Sequence, residues 1–189
     1  MEMPRRLIAN AAVLVAVSMA AAGYWWYRRH ERLTWEQVNA MIARNFPRVP
    51  QMEIRQLAAW LADSKRKPPL LLDVRSRVEY DVSHLHHARW INTGEPVSKA
   101  MADVPRTDPT VVYCSVGYRS SAYAARLIHD GFTNVHDLKG SIFLWADEGR
   151  PVYRSGRIVH HVHPYNRYWG QLLKRSLWAF HVPSRPAAR

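Results

Sequence analysis

Cys114 is the one cysteine of this 189-residue chain, and it opens the run Cys114-Ser115-Val116-Gly117-Tyr118-Arg119-Ser120. Just before it, Thr110-Val111-Val112-Tyr113 is β-branched and apolar, the pattern of a buried strand. Just after it, residues 120–130 read as a helix with Ser120 as N-cap and Gly131 just past the end. A thiol is thereby set on a short loop between a strand end and a helix start. Backbone N–H groups and the positive end of the helix dipole converge at such a place and favour an anion, and thiolate is the nucleophilic form of cysteine.

The competing reading is a small buried hydrophobe, since free cysteine is among the most buried residue types. A core cysteine needs no glycine beside it, no arginine closing its loop and no serines at the next helix start. Gly117, Arg119 and Ser120 supply all three, and the pattern points to thiolate chemistry.

The elements that must position the loop form an alternating series. Short apolar runs, near Leu70, Ala88, Thr110 and Val135, alternate with helical patterns over 53–61, 77–82, 99–104, 120–130 and 141–148. That alternation predicts a parallel α/β sheet covered on both faces. Thr34-Trp35-Glu36-Gln37 has the form of a capping box opening a helix to about Asn45, with Pro47 ending it. No internal repeat is present, and with a single cysteine the fold cannot depend on an internal disulfide.

Cys-x-x-Gly-x-Arg-Ser resembles the active-site loop of the rhodanese (sulfurtransferase) family, and further landmarks follow in that family's order. Leu70-Leu71-Leu72-Asp73-Val74-Arg75 is similar to its strand ending in Asp-Val-Arg. Glu79-Tyr80, Ser83-His84-Leu85 and Ala88-Arg89-Trp90-Ile91-Asn92 resemble its next signatures, and Val135 to Gly140, Trp145, Gly149, Pro151 and Val152 its closing segment. The resemblance spans about Val49 to Tyr153. Ser83, His86-His87 and Ser141 depart from it where the family carries glycine, Pro-Gly and glycine.

The resemblance implies a rhodanese-like three-layer domain and a sulfurtransferase. Cys114 would be the catalytic residue, carrying a persulfide between a small-molecule sulfur donor, such as thiosulfate, and a thiol acceptor. Ser115, Val116, Gly117, Tyr118, Arg119 and Ser120 would form the persulfide-binding loop, with no cofactor and no metal. Asp73 and Arg75 read as an ion-pair framework bracing that loop, Arg75 being the one to reach toward it. Two rivals stay open: a non-catalytic binding or scaffold module of the same fold, and a cysteine-dependent phosphatase. The phosphatase pattern is His-Cys-x5-Arg, whereas here Tyr113 precedes Cys114 and four residues separate it from Arg119.

Outside the domain, residues 7–27 carry no charge, about 30 Å of helix at ~1.5 Å per residue. Tyr24-Trp25-Trp26-Tyr27 follows as an aromatic belt, then Arg28-Arg29. This predicts a retained single-pass transmembrane anchor within residues 1–30, against a cleaved signal peptide with its site around Ala20–Ala22. Arg5 and Arg6 nearly balance Arg28, Arg29 and Arg32, so the charge rule leaves the side open, with a lean to an extracytoplasmic, periplasmic-type location. A lead-in helix would fill 31–48, the domain 49–153, and a basic tail 154–189.

From Arg150 on there are eight basic residues and no acidic one, within a formal net charge of +12 for the chain. Trp169, Leu172, Leu173, Ser176, Leu177 and Phe180 fall at helical spacing, predicting an amphipathic helix that either docks on the domain or lies on anionic lipid. No nucleic-acid-binding signature accompanies the charge, so no nucleic-acid partner is expected. The histidine groups His84/His86/His87 and His160/His161/His163 lack the cysteines or HExxH helix of a metal site.

Overall fold

The computed structural model describes residues 15, 17–25 and 32–182, in two compact units divided after Arg32. In the first unit residues 17–25 are helical. Apart from Val15, the rest of the segment expected to be an anchor lies outside the described residues, and among those described no helix is long and apolar enough to cross a membrane.

The second unit opens on helix α1 (Trp35–Asn45). The Thr34 hydroxyl accepts from the Gln37 N–H, and the Gln37 side chain accepts from the Thr34 N–H, so two of the orphan donors of the first turn are satisfied reciprocally. The series then runs β1 (Gln51–Met52), α2 (Ile54–Ala62), β2 (Leu70–Asp73), α3 (Arg77–Val82), β3 (Arg89–Trp90), α4 (Val97–Ala100), β4 (Thr110–Tyr113), α5 (Tyr118–His129), β5 (Val135–Leu138) and α6 (Ser141–Asp147). The five strands pair in parallel in the order β1-β5-β4-β2-β3. A small antiparallel hairpin follows, β6 (Val152–Arg154) and β7 (Arg157–Val159).

β4 lies in the middle of the sheet and is buried throughout. Its side chains alternate between faces as the two-residue period requires. Val111 and Tyr113 join Leu71 in a core with Leu57 and Trp60 of α2 and Phe143 of α6. Val112 joins Leu72 in a second core with Tyr123, Ala124 and Leu127 of α5. Each buried Val, Leu or Phe side chain contributes about 1.5–3 kcal/mol. A strand buried on both faces and paired on both edges cannot shift register cheaply, so the residue at its carboxyl end is held firmly. Cys114 follows directly on that residue.

Three expectations are corrected. α5 starts at Tyr118, and its N-cap is Gly117 at φ +109° rather than Ser120. The tight curl after the cysteine needs left-handed backbone, which glycine adopts at little cost, so the helix begins sooner than the serines suggest. The helix expected over 99–104 is the single turn α4, opening at Pro96, as a proline with its preset φ allows. The tail carries two 3-10 turns, Trp169–Leu172 and Arg175–Leu177, in place of an amphipathic helix. There Val162 donates to the Leu177 carbonyl and Ala179 to that of Val162, and Trp178 packs so close to Gly170 that a Cβ there would lie 2.6 Å from its ring. The stripe docks, with Leu172 and Leu173 buried, but the chain reverses to do so.

Candidate active site

Cys114 sits at the carboxyl end of β4, the edge of a parallel sheet at which ligands commonly bind. The residue is 1 % exposed. Ser141 anchors it: the Cys114 N–H donates to the Ser141 hydroxyl at 3.0 Å, and that hydroxyl donates to the Leu138 carbonyl at 3.1 Å. The chain after Cys114 is pinned from α6, where the N–H groups of Ile142 and Phe143 donate to the carbonyls of Cys114 and Ser115. The loop then turns back on the sulfur, and the Gly117 N–H donates to Sγ at 3.2 Å. Ser121 donates its N–H to Gly117, closing the first helical bond of α5. The amides of Tyr118, Arg119 and Ser120 precede that bond and have no carbonyl a turn behind them in the helix. Sγ therefore lies at a helix start, beside an amide already donating to it, where negative charge is stabilised.

Glu79, on α3, braces the loop. It is 1 % exposed and takes both guanidinium arms of Arg119, at 2.9 and 2.7 Å, with the Ser115 hydroxyl donating at 3.0 Å. The Ser76 N–H and hydroxyl complete its shell at 3.0 and 2.8 Å. Burial alone would raise the pKa of Glu79, but the Arg119 hydrogen bonds and charge outweigh it and hold the carboxyl at about 2. Arg119 is raised in turn: burial works against its charge, and Glu79 overcomes it. Its two arms are committed to a carboxylate, so its role is to pin the loop.

Asp73 and Arg75 form a second ion pair, buried on both sides, with the Arg75 Nη2–Asp73 Oδ2 distance 2.6 Å. Arg75 also donates to the Ser83 carbonyl at 2.6 Å and lies over the Tyr113 ring, 5.8 Å from its centroid. The pair thus braces the end of β4 and the turn after α3, and its hydrogen bonds do not run to the cysteine loop. The reach expected of Arg75 belongs to Arg119.

Sequence reasoning placed Cys114 and its loop residues together but assigned no role here to Glu79, Ser141, Tyr165 or Trp169. The Ser76-x-x-Glu79 capping-box spacing was the available signal for Glu79. Ser141 stood out only as a departure from glycine. Its backbone does sit at φ +50°, as does that of His87 at +56°, while Ser83 is extended at −171°. Tyr165 and Trp169 line a cavity of about 180 Å³ together with Cys114, Ser115, Val116, Tyr118 and Arg119. No local pattern announced that the tail would reach this loop. Among the described residues no three His, Cys, Asp or Glu side chains are grouped to hold a metal ion.

Residues 55–148 match the family model of the rhodanese-like domain. This segment is a rhodanese-like domain. Over 102 residues, 51% of its length, the chain is 37% identical to a probable adenylyltransferase/sulfurtransferase of Mycobacterium tuberculosis, and it spans only 24% of that protein. A sulfurtransferase of Allochromatium vinosum is 29% identical over 104 residues, 55% of this chain and 94% of that one. The solution structure of an Anabaena rhodanese-like domain matches with a TM-score of 0.51 at 24% identity, over 60% of this chain and 97% of that one, a likeness of fold. The rhodanese-like match stops before the tail residues that line the cavity.

Beneath the domain's cysteine loop lies Asp137 of β5, fully buried, with Oδ2 accepting from the Ser121 hydroxyl at 2.7 Å and Oδ1 without a hydrogen-bond partner among the described residues. Burial pushes its pKa up to about 7, against the opposing hydrogen bond of Ser121. A carboxyl raised in the folded state stabilises most below its unfolded pKa of about 3.9, and that contribution is lost as pH rises through about 7. Asp137→Asn keeps the shape without the charge. Wild type is expected to lose more Tm than this variant between pH 5 and pH 8, and parallel curves would contradict the assignment.

Proposed function

We propose that the protein is a sulfurtransferase that carries sulfane sulfur as a persulfide on Cys114, with thiosulfate or another small persulfide-type donor. The observation that carries this reading is the Gly117 amide aimed at Cys114 Sγ at the start of α5. The sulfurtransferase names of two relatives, at modest identity, point the same way. In the first step the thiolate attacks the outer sulfur of thiosulfate, and the S–S bond breaks with its electron pair leaving on sulfite. In the second, a thiolate or cyanide attacks the terminal sulfur, and the Cys114 thiolate departs with the S–S pair. Charge on the terminal sulfur is met by the loop amides, preorganised by the Ser141 and α6 hydrogen bonds.

The role of Arg119 separates this reading from phosphoryl transfer. A phosphatase loop needs its arginine on the phosphate, whereas both arms of this one lie on Glu79. Arg119→Ala is expected to slow transfer from thiosulfate to cyanide about tenfold through a loosened loop, while the persulfide still forms on backbone donors. Complete loss of persulfide formation in a folded variant would contradict that role.

The anchor belongs to the same proposal: the charge-free stretch 7–27 would tether the enzyme to a membrane, with the domain on the extracytoplasmic side. Cell fractionation with N-terminal sequencing tests this, and a soluble product starting near Ala21 would defeat it.

A further inference from the structure

The cysteine cavity is closed by a part of the chain that the rhodanese-like match does not include. Tyr165 and Trp169 form one wall, facing Cys114, Ser115, Tyr118 and Arg119 across about 180 Å³. That is well short of the ~300 Å³ at which drug-sized pockets begin. The Tyr165 ring lies over the Arg119 guanidinium, 4.6 Å from carbon to centroid, a cation–π contact made to a residue that pins the loop.

The wall is fixed rather than loosely laid down. The Tyr165 backbone is left-handed at φ +63°, and its N–H donates to His163 Nδ1 at 3.0 Å. The Asn166 side chain caps the turn by accepting from the Trp169 N–H at 2.9 Å. Behind the wall, Val162, Leu172 and Leu173 are buried in the main core. Lys174 ties the segment to the end of α6 through its backbone N–H, at 2.9 Å from Asp147 Oδ1.

We propose that Tyr165 and Trp169 are a fixed aromatic lid that sets substrate size, admitting small sulfane-sulfur anions and low-molecular-weight thiols to Cys114 and excluding persulfides carried on folded proteins. The substrate half of this inference rests on the persulfide reading above; the steric half rests on geometry alone. With Cys114 1 % exposed, a donor must enter the cavity, and a sulfur borne on a protein surface would have to displace the ring stacked on Arg119. Tyr165 is 45 % exposed, so it can be removed with little loss of core.

The test uses the full chain, whose single cysteine makes thiol labelling unambiguous. Tyr165→Gly removes the ring at a position whose positive φ suits glycine, and Tyr165→Phe retains it. The rates of Cys114 alkylation by iodoacetamide and by a fluorescein maleimide give a small-to-large preference. Wild type and Tyr165→Phe are expected to share that preference, and Tyr165→Gly to lower it about tenfold. A preference unchanged in Tyr165→Gly overturns the lid. Persulfide loading is then compared between thiosulfate and a persulfidated carrier protein. Wild type is expected to load from thiosulfate alone, and Tyr165→Gly from both. Equal loading of wild type from both donors overturns the size limit while leaving sulfur transfer intact. Failure of every donor, with the alkylation shift present, overturns the transfer reading and leaves the lid standing.

Discussion

Cys114→Ser is expected to lower sulfur transfer by about three orders of magnitude or more, because the covalent carrier is removed rather than weakened. The hydroxyl is not ionised at working pH and forms no persulfide. The fold should survive, since serine is nearly isosteric and its oxygen can accept the Gly117 N–H that Sγ now accepts at 3.2 Å. A stability change within about 1 kcal/mol is expected. The measurement is thiocyanate formation from thiosulfate and cyanide, beside a thermal melt. Transfer by the serine variant at the wild-type rate would remove the nucleophile from the mechanism.

The largest stability effect is expected at a residue that does not touch the sulfur. Asp73→Ala strips the partner from Arg75, whose side chain is wholly buried. Removing one member of such a pair leaves an uncompensated charge and typically costs about 3–5 kcal/mol. For a domain of this size that lowers Tm by about 6–20 °C. The damage should start at the end of β4, because Arg75 joins the Tyr113 ring to the Ser83 carbonyl. A melt within about 1 °C of wild type would show that the pair braces nothing. Contrasting outcomes for the two variants, activity lost with the fold kept and the fold lost with the cysteine kept, separate nucleophile from framework.

The parallel order of elements was legible because it rests on local pattern. Apolar runs such as Leu70–Asp73 and Thr110–Tyr113 are buried strands, and the Thr34 capping box does open α1. The start of α5 was misplaced because two signals competed. Serines at 120 and 121 are good caps, but the curl around Sγ demanded positive φ at Gly117, and the Ser120 hydroxyl turns back to the Gly117 carbonyl instead. The tail misled in a different way. Its stripe at helical spacing was real as a record of burial, yet burial against a folded surface does not require a helix. The ladder between Val162 and residues 177–179 is a tertiary fact with no local signature. Glu79 was visible as a motif residue, but its grip on Arg119, forty positions along the chain, could be seen only in three dimensions.

The central claim is that Cys114 carries sulfur, and intact-mass spectrometry of the purified chain after incubation with thiosulfate tests it most directly. A gain of about 32 Da is expected on wild type, located on the peptide containing Cys114, removed by cyanide and absent from Cys114→Ser. A wild-type mass unchanged by thiosulfate, polysulfide and mercaptopyruvate alike would contradict it.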